Sequence, residues 1–324
     1  MQKVADPLRR LPPRTADSVR RTESLRIVPV PTWDAALRLD GVARDSRVDS
    51  DGSITSAEPV TMQVDVDARS HVASLAATGL DDSAVDALVG RHAITGFRGA
   101  VSKLGAVDLT TPSAALLDDL PVVRLISGYA LLMKKPRRIE DPPSAPILNI
   151  CRGWAEGDTA YQLAMSGRPV VNTTTSSPVI ADMLADPDDF HDEPPARPDS
   201  MCRRRILEIS VLGDGFGVFE YFRDSYVDDD AAESSLHEYV VRARVGADWT
   251  IEEVDVEPRA LPFPECPLVA PNARALQGSS VRDVHRSVRN LLSGTEGCTH
   301  LSDTLRFLRF TEPLAGLLHD RSAP

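Results

Sequence analysis

An α+β fold is predicted from three features: apolar alternations that read as strands, helical spacings that follow them, and a second passage of the same order along the chain. Arg205 to Ser210 and Gly217 to Tyr226 read as a hairpin, with Gly213-Asp214-Gly215 supplying the turn. His237 to Val245 alternates through Tyr239, Val241, Ala243 and Val245, which makes a third strand. Gly246-Ala247-Asp248 then turns the chain into a fourth, Thr250 to Val256. Val281, Val284, Val288 and Leu292 recur at helical spacing, as do Leu301, Leu305 and Leu308. The expectation is an antiparallel sheet covered on one face by helices.

The same order stands earlier in the chain. Arg26-Ile27 and Arg44-Asp45-Ser46 match Arg205-Ile206 and Arg223-Asp224-Ser225 at one offset, 179 (205 − 26 and 223 − 44). That offset also aligns Val60 to Ala68 with Tyr239 to Ala247. A nine-residue insertion then moves it to 188, where Leu88-Val89-Gly90 meets Leu276-Gln277-Gly278, and Val101 and Leu104 meet Arg289 and Leu292. Two pseudo-repeated domains follow from this. The expected organisation is a flexible arm over 1–24, a degenerate copy over 25–133, a connecting region rich in Pro and acid over 134–200, and a second copy over 201–324. The connecting region holds a short helix near Asp158 to Met165 and a loop from Asp186 to Asp199.

Composition narrows the function. The chain has 324 residues, 42% hydrophobic and 26% charged, with a net charge of −12, which suits a globular protein. That charge opposes both nucleic-acid phosphates and anionic membrane surfaces. Nothing approaches a spanning apolar run of roughly 18 residues. The Arg- and Pro-rich start, Met1 to Arg26, lacks the apolar core of a signal peptide and reads as a solvated arm. A cytoplasmic protein is expected, with Cys151, Cys202, Cys266 and Cys298 reduced.

Duplication supplies an internal control: features kept in both copies are scaffold, and polar groups present in one are candidates for chemistry. Arg223-Asp224-Ser225 has its counterpart in Arg44-Asp45-Ser46 and reads as a buried ion pair or turn. His237 aligns with Glu58, and Leu109 to Pro112 stands where Cys298 and His300 would be. Two imidazoles and two thiolates, His237, Cys266, Cys298 and His300, suit a tetrahedral zinc or iron ion, one per chain. Cys298-Thr299-His300 precedes a helix, whose N-terminus favours a thiolate. Asp303, in that helix's first turn, would orient His300. Cys151, beside Trp154, reads as a structural thiol or a ligand from the side. His191, in the acidic run Asp182 to Glu193, reads as a lid residue or a solvated one.

Several stretches together carry a family likeness: Phe222-Arg223-Asp224-Ser225, His237-Glu238-Tyr239, Pro264-Glu265-Cys266-Pro267, Leu276-Gln277-Gly278, and Gly297-Cys298-Thr299-His300-Leu301 with the residues to Arg306. Leu116 to Pro121 and Ser127-Gly128-Tyr129-Ala130 add to it. From about Arg26 to Leu308 the chain resembles the bacterial family "domain of unknown function 2889", a name that implies no activity. A fainter likeness, at fold level, is to NifU-like iron–sulfur scaffold proteins, which order their ligands as His237, Cys266 and Cys298 are ordered here. The expected function is a small-molecule metalloenzyme of hydrolase or lyase type, with Glu238 or Asp224 as base. A shell closed by all four ligands would instead be structural. The rivals are a non-catalytic metal or sulfur carrier needing a protein partner, and a ligand-binding protein using the groove between the copies.

Overall fold

The protein, seen as a computed structural model, is described over residues 10–134, 148–166, 168, 170, 174–193 and 195–319. The first half lays down strands β1 (Ser18–Val30), β2 (Ala36–Val48), β3 (Ile54–Ser56), β4 (Val60–Val66) and β5 (Val72–Ala77). Helices α1 (Asp82–Leu88), α2 (Phe97–Val101) and the long α3 (Pro112–Lys134) follow. The connecting region contributes α4 (Thr159–Met165), the two-residue β6 (Thr175–Ser176) and α5 (Ile180–Met183). The second half lays down β7 (Ser200–Leu212), β8 (Gly215–Val227), β9 (Glu233–Val245) and β10 (Ile251–Ala260). Its helices are α6 (Val284–Leu291), α7 (Thr299–Phe307) and α8 (Thr311–His319). The α+β expectation holds.

The expected pair of sheets is one sheet. Its order is β10-β9-β8-β7-β1-β2-β4-β5, with β3 on β2 and β6 on β9. The halves meet edge to edge, because β1 and β7 pair antiparallel from Ser18 opposite Ser210 to Ile27 opposite Met201. Joining two open edges in this way satisfies backbone donors and acceptors that would otherwise face solvent.

The ladders of the two halves correspond position by position. Val60 opposite Ala43 in β4–β2 matches Tyr239 opposite Phe222 in β9–β8, both at 179. Leu75 opposite Val64 matches Val254 opposite Ala243. Gly90 donates to Val72 O and Gly278 to Ile251 O, each at 2.9 Å or less. Both glycines have positive φ, 81° and 84°, a region glycine enters without a Cβ penalty. The first strands correspond differently. Arg21 faces Asp45, and Arg203 faces Asp224, so β1 maps onto β7 at 182 (203 − 21) and the equivalent of Arg203 is Arg21. The match of Arg26 with Arg205 is therefore displaced by three residues.

The flexible arm is also corrected. Residues 1–9 lie outside the described part, but β1 already begins at Ser18, and Arg20 and Arg21 are buried. Their charges enter the interior because each is paired: Arg20 donates to Glu208 at 2.6 Å and Arg21 to Asp45 at 2.7 Å. Both faces of the sheet centre are covered, so β1 and β7 are buried almost throughout. Helices α3 and α8 lie over one face. The connecting region packs Ile180, Met183, Leu184 and Phe190 on Ile206, Tyr221 and Val240 of the other. Among the described residues no helix is long and apolar enough to cross a membrane.

Candidate metal centre

Three of the four expected ligands meet on the helix-covered face of the second half. His237 lies within β9 opposite Asp224, where a bulge interrupts the β8–β9 ladder. Cys298 is the N-cap of α7, and His300 occupies that helix's first turn. Donor atoms of His237, Cys298 and His300 all lie within 4.8 Å of one another. A tetrahedral zinc ion, with bonds of about 2.0 Å to nitrogen and about 2.3 Å to sulfur, separates its donors by roughly 3.4–3.6 Å. His300 Nδ1 is 4.0 Å from Cys298 Sγ, and the three donors would have to draw together to hold such an ion. The two imidazoles stack at 3.5 Å between centroids.

Charge and burial hold these groups neutral. Burial, reinforced by Arg203 and Arg205, pushes His300 down to about 3. Burial and the neighbouring His300 take His237 well below its ordinary value. A neutral imidazole is the form that binds a metal. His237 Nδ1 is buried without a hydrogen-bond partner, a costly state that a ligated ion would relieve. The helix N-terminus was expected to favour a thiolate at Cys298, and the outcome is a correction. Backbone N–H groups of His300 and Leu301 and the Tyr239 hydroxyl do favour the anion, but burial outweighs them and raises the thiol. Deprotonation therefore needs a cation at the site.

Asp224 orients His300. Its Oδ2 is 3.5 Å from His300 Nε2, leaving Nδ1 turned toward Cys298, the arrangement of a carboxylate behind a metal-binding imidazole. Asp224 is in turn gripped by Arg203, which donates from Nε and Nη2 at 2.8 Å each. Arg203 also reaches Asp119 of α3 at 3.2 Å. Burial opposes ionisation of Asp119, yet Arg205 and Arg203 outweigh it and hold the carboxyl at about 2. A continuous chain of charges thus runs from the first half into the site. Asp303 belongs to this chain rather than to His300: it meets Arg98 at 3.2 Å, Arg306 at 3.1 Å and Arg203 at 3.6 Å.

Two expected site residues fall elsewhere. Glu238 alternates onto the opposite face from His237, where it meets Arg259 at 3.3 Å and a Ser235 hydroxyl at 3.4 Å. The sheet separates it from the imidazoles, so it cannot act as their base. Cys266 starts a 3-10 helix, Cys266–Leu276, and is buried outside the three-donor group, within electrostatic reach of Cys298. His191 is neither a lid nor solvated. It is buried on the far face between Ser24 Oγ at 2.6 Å and Thr22 Oγ1 at 2.8 Å, and burial pushes it down to about 3. The acidic run is likewise partly interior: Asp189 is buried and Glu193 holds Arg204 at 2.8 Å.

Arg203, Asp119 and Tyr239 were not singled out from the sequence. The one signal for Asp119 was its place in Leu116-Leu117-Asp118-Asp119-Leu120, where two acids interrupt an apolar helical run.

Residues 204–312 match the model of a family described as "Protein of unknown function (DUF2889)". Over that segment, about a third of its length, the chain is similar to DUF2889. The DUF2889 match spans β8, β9 and the helices that carry Cys298 and His300, while the quoted stretches of α3 fall outside it. No curated protein and no solved structure gives a significant match, so the NifU-like likeness gains no support.

Proposed function

We propose that the second half holds one zinc- or iron-class ion on His237, Cys298 and His300, and that the protein is a small-molecule metalloenzyme of hydrolase or lyase type. The observation that carries this reading is the convergence of three soft or borderline donors, two of them neutral imidazoles, with Asp224 behind one of them. Three protein ligands leave a fourth position for a small molecule, where such an ion polarises a carbonyl or activates water. Asp224, shared between Arg203 and His300, orients the imidazole. We further infer that the two halves descend from one duplicated unit, a reading supported by the matched ladder registers and by the paired glycines Gly90 and Gly278. The reading takes the protein to be cytoplasmic, where the thiols stay reduced.

Elemental analysis of protein purified without a His-tag, with iron and labile sulfide assayed alongside, tests the site. One zinc or iron per chain, lost in Cys298→Ala and in His300→Ala, is the expected result. No metal, or two ions per chain, would falsify the one-site reading, and labile sulfide would favour a cluster carrier.

A further inference from the structure

We propose that Cys151 of the connecting region is the fourth protein donor, filling in the resting protein the position that the small molecule takes. The proposal rests on the three-donor reading above and adds a ligand to it. Sequence spacing favoured Cys266 for that role, and the packing around both thiols argues for the exchange.

The loop around Cys151 is clamped beside Cys298. Arg152 N–H donates to Gly297 O at 2.9 Å, and these two residues are the immediate neighbours of Cys151 and Cys298. Asn149 N–H closes the loop on Trp154 O at 2.9 Å, and Trp154 N–H on Cys151 O at 3.0 Å. The loop's far side seats on Cys266: a Cβ at Gly153 would stand 2.9 Å from Cys266 Sγ and 3.2 Å from Phe263. Trp154 meets Phe263 edge to face at 6.4 Å, and Thr159 Oγ1 donates to Glu265 at 2.7 Å. The segment therefore forms a wall of the site, held from both sides.

The two thiols differ in freedom. Cys266 begins a helix, is 4% exposed, and is backed by Phe263, Ala160 and Trp154. It is a packed apolar thiol. Cys151 is only partly buried, on a short irregular loop, and lies within electrostatic reach of Cys298. A second observation points to an occupant between the thiols. The Tyr239 hydroxyl is fully buried, lies against Cys298 and within electrostatic reach of Cys266 and Cys151, and makes no hydrogen bond of full geometry. A donor set of two imidazoles and two thiolates selects a thiophilic ion of the zinc and cadmium class over magnesium or calcium.

Cobalt(II) substitution of the full chain separates the possibilities, because sulfur-to-cobalt charge-transfer absorption grows with the number of bound thiolates. Expected is a two-thiolate intensity in the wild type, halved in Cys151→Ser and kept in Cys266→Ser. Burial pushes the Cys151 thiol up to about 12 and slows its alkylation, so the wild type, which needs no variant, should label Cys151 faster in the metal-free protein than with cobalt bound. Cobalt bound at a one-thiolate intensity in the wild type, or an intensity halved by Cys266→Ser instead, overturns the assignment of Cys151 and leaves the three-donor reading standing. A wild type that takes up no cobalt overturns both.

Discussion

The two halves set the same backbone frame around different chemistry. In the second half Arg203 clamps Asp224, and Asp224 faces His300. In the first half Arg21 clamps Asp45 in the same register, but its guanidinium ends on the carbonyls of Thr110 at 2.9 Å and Thr111 at 3.3 Å. Those carbonyls stand at the entrance to α3, where Cys298 and His300 stand at the entrance to α7. The position matching His237 is the exposed Glu58, which precedes β4, and there Ala57 N–H caps Asp45 O at 3.0 Å. One frame therefore serves two ends: a closed, self-satisfied ion pair, and an ion pair whose carboxylate is left facing a titratable ring. The difference lies in the few side chains at one helix start and one strand end.

The sharpest way to break this comparison is to remove each arginine. Arg203→Leu leaves Asp224 buried without its arginine and takes from Asp119 one of the two arginines that hold it, at a cost of about 3–5 kcal/mol. Arg21→Leu leaves only Asp45, so urea unfolding should find a smaller loss. Equal losses would mean that the two ion pairs are interchangeable scaffold. Next in size is the carboxylate behind the imidazole. Asp224→Asn should weaken metal binding about 10–100-fold, and Asp119→Asn, one step further out, by about tenfold or less. Competition with a chelator of known affinity measures both, and an Asp119→Asn effect larger than that of Asp224→Asn would reverse the proposed direction of the chain.

A third test uses pH on metal-free protein. His300 is depressed to about 3 in the folded state, against about 6.5 when unfolded. The unfolded chain then binds more protons between those values, so stability is full above pH 6.5 and falls as pH drops through the window. One such histidine contributes a slope of up to roughly 1.4 kcal/mol per pH unit. His300→Gln should flatten the dependence by that amount, and an unchanged slope between pH 6 and 4, read by urea titration, would show the ring to be protonated in the fold. The smallest effect expected is at Cys202, buried on the far face near Ser200 and Arg204. Cys202→Ser should leave metal content as it is, and a loss there would move the site across the sheet.

Where the sequence was legible, period and turn chemistry agreed with burial. The alternation of His237 to Val245 and the Gly213-Asp214 turn foretold β9 and the β7–β8 hairpin, because one face of each strand is apolar. The first turn of α7 was equally readable from Cys298-Thr299-His300. β1 was not, for a physical reason. Ser18, Arg20, Arg21, Thr22, Glu23 and Ser24 are all buried, and a strand that buries charge against distant partners looks like a solvated arm until those partners are seen. Arg203 was hidden in the same way, since Asp119 lies 84 positions away. Glu238 misled because adjacency in sequence to His237 means opposite faces in a strand. The edge-to-edge junction had no local signal at all, since an edge satisfied by backbone pairing leaves no mark on side-chain pattern.

That junction has a consequence for assembly. Mapping β1 onto β7 at 182 puts Glu23 and Arg205 on equivalent positions, and they are also each other's partners across the seam. They therefore sit on the local twofold axis. If two copies of the second half paired with each other through β7 in this register, Arg205 would face Arg205; two first halves would set Glu23 against Glu23. Two guanidinium charges directly opposite destabilise a ladder, and here they would be buried. In the mixed pairing Arg205 is held by Asp119 at 2.8 Å and by Glu220 at 3.3 Å, while burial raises the Glu23 carboxyl well above its ordinary range and its two oxygens make no hydrogen bond. The seam thus carries, in Arg205, a discrimination against self-pairing of second halves.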